Sequence, residues 1–138
     1  MTSSVQDIGT LKDSAREASM NAHAPYSRFR VGAAVVDRTG RIFSGCNVEN
    51  ASYGLTMCAE RNALAAAVAA GVGAGEIQLI LIYTPGKRPA SPCGGCRQVM
   101  QEMLPPDARV ISCCDSEDEM NRTVEQLLPQ PFRMEDFK

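Results

Sequence analysis

The chain has 138 residues, of which 44% are hydrophobic and 5% aromatic, and it carries a formal net charge of −2. We expect residues 1–138 to form one domain with a small core. Because many of the hydrophobic residues are Ala, which fills little volume, self-association would bury additional apolar surface. Lys and Arg are scattered, which disfavours nucleic acid and membrane surfaces as partners because both attract basic clusters.

The N-terminal sequence has neither a basic segment nor an apolar stretch, so we recognise no secretory signal and expect a cytoplasmic protein. No apolar run is long enough to cross a bilayer. The six cysteines are therefore better explained as metal ligands or reduced thiols than as a disulfide framework.

Patterns in the first part of the chain predict a helix followed by a hairpin. Apolar residues at spacings of three and four indicate an amphipathic helix over residues 3–23. Two runs of small, apolar and β-branched residues, 30–36 and 41–48, flank a turn at 37–40 and are typical of paired strands.

The rest of the chain alternates between helices and strands. An Ala-rich stretch over 57–70 predicts a closely packed central helix, with Thr56 as its candidate N-cap. The elements expected after it are a strand over 77–83, a helix over 96–103, a strand over 109–113, a short strand near Glu119 and a helix over 123–128. This alternation predicts a layered α/β sandwich with a mixed sheet.

Two short segments carry the clearest chemistry: C-A-E, which begins at Cys58, and P-C-G-G-C, which ends at Cys96. The thiols of Cys58, Cys93 and Cys96 can hold one tetrahedral Zn²⁺ per chain and leave its fourth position open for water. Glu60 beside that position can shuttle protons from the water to a ring nitrogen and then to the leaving amine. This combination is typical of zinc-dependent hydrolytic deaminases.

A closed structural zinc site or a redox pair is the alternative interpretation of the C-x-x-C segment. The residues that could supply a fourth ligand are Cys46, Cys113, Cys114 and His23. Because C-x-E combined with a Pro before C-x-x-C is far more specific than either half, the sequence favours an open, catalytic site.

Both thiol segments fall at the starts of predicted helices, where the partial positive charge favours thiolates. Three thiolates around Zn²⁺ nevertheless leave a formal charge of −1, which weakens the pull on a bound water. We therefore expect Arg61, next to Glu60 in sequence, to hydrogen-bond the sulfurs.

From Pro25 to Phe132 the chain resembles the small, homotetrameric, zinc-dependent cytidine deaminases. The matching segments are P-Y-S-R-F-R-V-G-A-A at 25–34, G-C-N-V-E-N-A-S-Y-G at 45–54, C-A-E-R at 58–61, P-C-G-G-C-R-Q at 92–98 and L-L-P at 127–129. The zinc motif is shared with a broad superfamily, whereas the first two segments narrow the resemblance to deaminases of free nucleosides.

The resemblance implies a fold, a reaction and an assembly. The fold is a three-layer α/β/α sandwich whose five-stranded mixed sheet has the order 2-1-3-4-5. The reaction is hydrolytic deamination of cytidine and 2′-deoxycytidine to the uridine nucleosides and ammonia in pyrimidine salvage, in which a zinc-bound hydroxide attacks C4 and Glu60 shuttles protons. The assembly is a homotetramer whose sites are shared between subunits.

The resemblance also implies substrate contacts. Asn47 and Glu49 would hydrogen-bond the ribose hydroxyls, Phe29 would pack against the nucleoside, and the backbone N–H of Ala59 would contact the 2-oxo group of the pyrimidine. Asn47 and Glu49 are two residues apart, so on a strand they would face the same side. No basic cluster is available for a phosphate, which favours a nucleoside over a nucleotide.

Two further aromatic residues are implied to act across a subunit boundary. Tyr53 resembles a residue that reaches a neighbouring subunit's site, and Phe132 resembles a C-terminal aromatic that covers the base of an adjacent subunit. Pro131, just before it, departs from the small residue expected there.

Two other functions are alternatives. Deaminases of cytosine-nucleoside antibiotics of the blasticidin S type share the zinc motif but resemble this chain less around the sugar-binding segment, so Glu49 and Asn50 favour an ordinary ribose. A non-catalytic zinc module that binds RNA or a protein partner is disfavoured by the acidic balance and the few aromatics. Turnover of cytidine against the antibiotic, and a mobility shift with single-stranded RNA, would separate these functions.

Overall fold

The computed structural model describes residues 4–137, so the first residue expected for the N-terminal helix lies outside it. Helices and strands follow one another in the order α1 Ser4–Ser19, β1 Gly32–Asp37, β2 Ile42–Cys46, a 3-10 turn Tyr53–Leu55, α2 Ala59–Ala69, β3 Ile77–Tyr83, α3 Gly94–Met103, β4 Arg109–Cys113, β5 Glu119–Thr123, α4 Val124–Leu127 and a 3-10 turn Met134–Phe137. None of the helices in the described part of the chain has the length and apolar character needed to span a membrane.

The five strands form one mixed sheet in the order β2-β1-β3-β4-β5. Strand β1 pairs antiparallel with both β2 and β3, β3 pairs parallel with β4, and β4 pairs antiparallel with β5. The order implied by the resemblance is therefore confirmed, as is the short strand expected near Glu119. The crossover from β3 to β4 contains α3, so this helix starts beyond the C-terminal end of β3.

Helices cover both faces of the sheet, which confirms the three layers. One core lies between α1 and the sheet and includes Leu11, Ala15, Ala34, Leu81 and Ile111. The other lies under α2 and α3 and includes Ala63, Leu64, Ile80, Met100 and Val110. Strands β1 and β3 are apolar almost throughout because both of their faces are buried.

Helix α1 and strand β2 end earlier than expected because the residues that follow them pair with other parts of the chain. Helix α1 ends at Ser19 and strand β2 at Cys46. Beyond these ends, Val48 forms bridges with both His23 and Met57. These tertiary contacts satisfy backbone groups that a longer helix or strand would have used.

Gly45 allows strand β2 to lie directly against helix α2. A Cβ at this position would lie 2.5 Å from the backbone N of Ala63 and 2.8 Å from the backbone C of Asn62. We expect Gly45→Ala to lower the free energy of unfolding by about 3 kcal/mol, because helix backbone cannot yield as a flexible side chain can. Urea denaturation measures this loss.

Gly54→Ala is the matched control, because a Cβ there meets nothing within 4 Å. It should change the free energy of unfolding by less than about 0.5 kcal/mol. If Gly45→Ala were as stable as Gly54→Ala, the close approach of β2 and α2 would not be a constraint on the fold.

Asp37 organises the hairpin turn between β1 and β2 from a buried position. Its carboxylate accepts hydrogen bonds from Thr39 N, Thr39 Oγ1, Arg41 N and Arg41 Nε at 2.8–2.9 Å. Burial alone would raise the pKa of Asp37, but the bonds from Thr39 and Arg41 outweigh burial and hold the pKa at about 2. The folded state therefore binds this proton more weakly than the unfolded chain does.

We expect the ionised Asp37 to contribute about 2 kcal/mol to stability above pH 4, and this contribution to disappear as the pH falls from 4 towards 2. Asp37→Asn should lose that amount at pH 7 and show a flatter pH dependence between 4 and 2. Thermal unfolding across this range measures both, with the exposed Asp107→Asn as control. Parallel pH curves for Asp37→Asn and the unsubstituted protein would contradict the assignment.

Candidate active site

The helices α2 and α3 are each preceded by a cysteine in the N-cap position. Cys58 is the N-cap of α2 and Cys93 the N-cap of α3, each with an extended backbone. The Cys93 Sγ accepts a hydrogen bond from the backbone N–H of Cys96 at 3.4 Å. Two helix N-termini, each with free N–H groups and partial positive charge, thus meet around these sulfurs.

The expectation that Thr56 caps α2 is wrong. Its hydroxyl instead accepts a hydrogen bond from the backbone N–H of Asn50 at 3.2 Å and so closes the loop before the helix, which leaves the cap to Cys58. Helix α3 likewise begins at Gly94 rather than Cys96, because the thiol of the preceding residue caps the first turn.

The three thiols lie close enough together to share one ion. The Sγ atoms of Cys58, Cys93 and Cys96 are all within 4.8 Å of one another, and those of Cys58 and Cys93 are 4.0 Å apart. Tetrahedral Zn²⁺ with sulfur at about 2.3 Å places its ligands roughly 3.8 Å apart. In the part of the chain that the structure describes, this is the only group of three or more potential His, Cys, Asp or Glu ligands.

Arg61 approaches the sulfur cluster as expected. Its Nη2 donates to the Cys58 Sγ at 3.5 Å and to the backbone O of Thr56 at 3.3 Å. Its Nε is buried and makes no hydrogen bond to any residue from 4 to 137. A buried guanidinium donor without a protein acceptor fits a site in which the neighbouring sulfurs are thiolates that carry a metal ion.

The thiols are electronically unequal. A hydrogen bond from Cys96, reinforced by Arg61, lowers the pKa of Cys58 to about 5. The same hydrogen bond to Cys58, together with burial, raises the pKa of Cys96. The surroundings of Cys58 therefore favour its thiolate, whereas those of Cys96 disfavour it.

Replacing Arg61 by Gln should weaken zinc binding or turnover by about tenfold, since the neutral amide stabilises thiolates less well than the guanidinium. Chelator competition and kcat/KM measure the two effects. The exposed Arg88→Gln is the control for loss of one positive charge. If Arg61→Gln behaved like Arg88→Gln in both assays, Arg61 would have no role at the metal site.

Glu60 lies in the first turn of α2, only 6% exposed, and lines a cavity of about 220 Å³ together with Cys58 and Cys93. Burial raises the pKa of Glu60. A carboxyl group in such surroundings is a stronger proton acceptor than an exposed one, which suits a proton shuttle.

Three of the residues implied to contact substrate line this cavity: Phe29, Asn47 and Ala59. The amide of Asn47 also fixes the cavity wall, because its Oδ1 accepts from Val31 N at 2.9 Å and its Nδ2 donates to the Phe29 carbonyl at 2.8 Å. One side chain thus fixes the backbone on both sides of Arg30, next to Phe29.

Glu49 lies beside the cavity rather than among its lining residues. Its carboxylate accepts from the backbone N–H groups of Tyr26 and Ser27 at 3.0 and 3.2 Å, and from the Ser27 hydroxyl. The hydrogen bond from that hydroxyl is the main cause of a lowered pKa for Glu49. Glu49 and Asn47 both bond to residues of the segment 26–31, although β2 ends at Cys46 and neither residue lies on a strand.

Tyr53 and Phe132 do not line the cavity of their own chain. The Tyr53 ring is 76% exposed and meets Tyr26 edge-on at 6.3 Å. Phe132 is 60% exposed and lies 5.4 Å from the ring of Phe137. Their roles at a neighbouring subunit's site stay predictions.

Sequence reasoning missed the cavity residues that follow β3, notably Thr84 and Ser91. Thr84 continues the alternation of Ile80 and Ile82, whose side chains face the core under α2 and α3. That alternation was the available signal, and extending it one step beyond the strand would have placed Thr84 at the site.

Comparisons with known proteins agree with this site. The family model of the cytidine and deoxycytidylate deaminase zinc-binding region matches residues 6–113. A cytidine deaminase of Halalkalibacterium halodurans is 46% identical over 88% of this chain and 90% of its own length. One of Sporosarcina psychrophila is 40% identical over 95% of both chains.

A crystal structure of cytidine deaminase from Burkholderia pseudomallei superposes with a TM-score of 0.86 at 46% identity, covering 90% of this chain and 98% of that one. The fold, the cluster of three thiols and the extent of these matches lead to one conclusion. The chain belongs to the zinc-binding cytidine and deoxycytidylate deaminase family.

Proposed function

We propose that the protein catalyses the hydrolytic deamination of cytidine and 2′-deoxycytidine to uridine and 2′-deoxyuridine with release of ammonia. The observation that carries this proposal is one cavity that combines three thiols within 4.8 Å with the buried carboxyl group of Glu60. Relatives named cytidine deaminase, up to 46% identical, support the choice of substrate.

Cys58, Cys93 and Cys96 would hold the zinc ion, with Arg61 donating to the thiolate of Cys58. Bound there, zinc supplies the Lewis acidity that activates water for attack at C4 of the base. Glu60 accepts a proton from the attacking water and delivers it to N3. It then takes the proton of the new hydroxyl on C4 and passes it to the departing amine.

The rest of the cavity orients the nucleoside. The N–H of Ala59, at the start of α2, is a donor for the 2-oxo group, because the first N–H groups of a helix have no intrahelical partner. The Phe29 ring would pack against the nucleoside, while Asn47 and Glu49 would bind the ribose hydroxyls. Glu49 still has acceptor capacity beyond its contacts to Tyr26 and Ser27.

We further propose a homotetramer whose subunits complete one another's sites through Tyr53 and Phe132. Exposed apolar side chains support this assembly, among them Tyr53, Leu55, Phe132 and Phe137. Light scattering should give the mass of four 14.8 kDa chains. A fully active monomer would contradict the sharing of sites.

The cell compartment, the pathway and the domain organisation are also proposals. We infer a cytoplasmic enzyme of pyrimidine salvage in which residues 1–138 form one catalytic domain. All six cysteines are free thiols in the structure, which suits a reducing compartment.

The decisive test has two parts. The zinc content of the purified protein is measured, and the change in ultraviolet absorbance is followed after cytidine is added. We expect about one zinc per chain and turnover of both cytidine and 2′-deoxycytidine. One zinc per chain without turnover of either nucleoside would overturn the proposal, and faster turnover of blasticidin S would reassign the substrate.

A further inference from the structure

Thr84 lines the active-site cavity and carries a buried hydroxyl. It directly follows β3, and its backbone N–H is fixed by a hydrogen bond to the carbonyl of Cys113 at 3.1 Å. The residue is 2% exposed and lines the same cavity as Glu60 and Cys58. Its Oγ1 has no hydrogen-bond partner among the residues that the structure describes.

A hydroxyl in this position is unfavourable unless something in the cavity binds to it. Buried polar groups are almost always paired with protein atoms or with ordered water, and an unpaired one destabilises the fold. The preceding residues on this face, Ile80 and Ile82, are apolar, so a Val in place of Thr84 would satisfy the packing. The cavity that Thr84 lines can supply a partner for the hydroxyl.

The cavity offers further polar groups for a small molecule held at Thr84. The Glu60 carboxyl and Ser91 also line it. The Ser91 Oγ already accepts from Arg97 Nη2 at 2.6 Å, which leaves its own proton free to donate into the cavity. A bound water needs two to four such partners.

We propose that the Thr84 hydroxyl binds a small neutral hydrogen-bonding molecule, either the water that deamination consumes or the ammonia that it releases. This inference rests on the proposed function and deepens it. Each turnover forms a C4–O bond from one water and breaks the C4–N bond to release one ammonia, and both molecules offer donors and an acceptor to a hydroxyl. Thr84 is then a binding residue for the second reactant or the second product.

The test compares Thr84→Val, which removes the hydroxyl and keeps the branched shape, with Thr84→Ser, which keeps the hydroxyl. High-resolution crystal structures should show an ordered solvent molecule at Oγ1 in the unsubstituted protein and in Thr84→Ser, and its loss in Thr84→Val. Thr84→Val should lower kcat about tenfold, the effect of one hydrogen bond, and change the KM for cytidine less than twofold. Thr84→Ser should stay within twofold in both constants.

Inhibition by ammonium chloride distinguishes water from ammonia as the bound molecule. The inhibition constant is measured at pH 9, with sodium chloride at equal ionic strength as the control. If the site holds ammonia, Thr84→Val raises the inhibition constant about tenfold. If it holds water alone, that constant is unchanged while kcat still falls. Both outcomes support a binding hydroxyl.

Absence of solvent at Oγ1 in the unsubstituted protein, or unchanged kcat in Thr84→Val, would overturn the inference. So would a fall in kcat that only follows a loss of folding stability, which urea denaturation detects. Thr84→Ala is the second variant if Thr84→Val does not fold. Because the crystallographic result is independent of turnover, failure of the proposed function on cytidine is distinguishable from failure at Thr84.

Discussion

Replacing Glu60 by Gln should leave about one zinc per chain and lower kcat by about a thousandfold. The side chain is almost fully buried in the cavity and its amide isostere has the same shape, so packing should survive the change. The amide cannot accept a proton from water and pass it on, and a positioned general acid–base group contributes a factor of roughly 10²–10⁴ to the rate. The sulfurs that would hold zinc are untouched.

The control is Glu102→Gln, which removes an exposed carboxylate from α3. It should retain both zinc and turnover. Metal content by elemental analysis and single-turnover kinetics with cytidine separate the two functions of the site. Turnover that persists in Glu60→Gln with its zinc in place would dispose of the proton-shuttle role.

The strands could be predicted where local composition determines them. Ile77–Tyr83 and Arg109–Cys113 have the bounds expected from the sequence because each is a short apolar run set between loop residues. The ends of β2 and α1 could not be predicted, since they depend on Val48 bridging His23 and Met57, which are distant in sequence.

At the site, too, features that depend on local sequence could be predicted, and features that depend on contacts between distant residues could not. The three cysteines could be identified because their spacing within each segment is local, and only their convergence needed the fold. Which residue caps α2 depended on where the Thr56 hydroxyl finds a partner, and that partner is Asn50 in the preceding loop. The contacts that Glu49 makes with the turn at Ser27 likewise exist only once residues far apart in sequence have packed together.

The structure also explains why the thiols and the carboxyl group occupy helix starts. N-cap positions place Cys58 and Cys93 just before the helix starts, where the partial positive charge of each helix end favours a thiolate. The Cys93 Sγ also accepts the backbone N–H of Cys96. Glu60, the second residue of α2, is largely buried and lines the cavity. One short segment therefore supplies a sulfur whose pKa is lowered and a carboxyl group whose pKa is raised by burial.

Replacing Cys93 by Ala should reduce zinc affinity on the order of a thousandfold and abolish turnover with it, because each thiolate supplies several kcal/mol of a binding energy of about 10–16 kcal/mol. Cys93 is the exposed member of the three, so its truncation leaves almost no cavity in the core. In the presence of a chelator, the free energy of unfolding by urea should fall by no more than about 1 kcal/mol, the effect of losing the N-cap of α3, which separates metal loss from misfolding.

Cys46→Ala is the matched control, since Cys46 is a free, half-buried thiol outside the sulfur cluster. It should keep one zinc per chain after dialysis against a chelator, whereas Cys93→Ala should keep less than a tenth as much. Equal zinc in the two variants would mean that another group takes the place of Cys93. The fourth position, and with it the route of water to Glu60, would then have to be assigned differently.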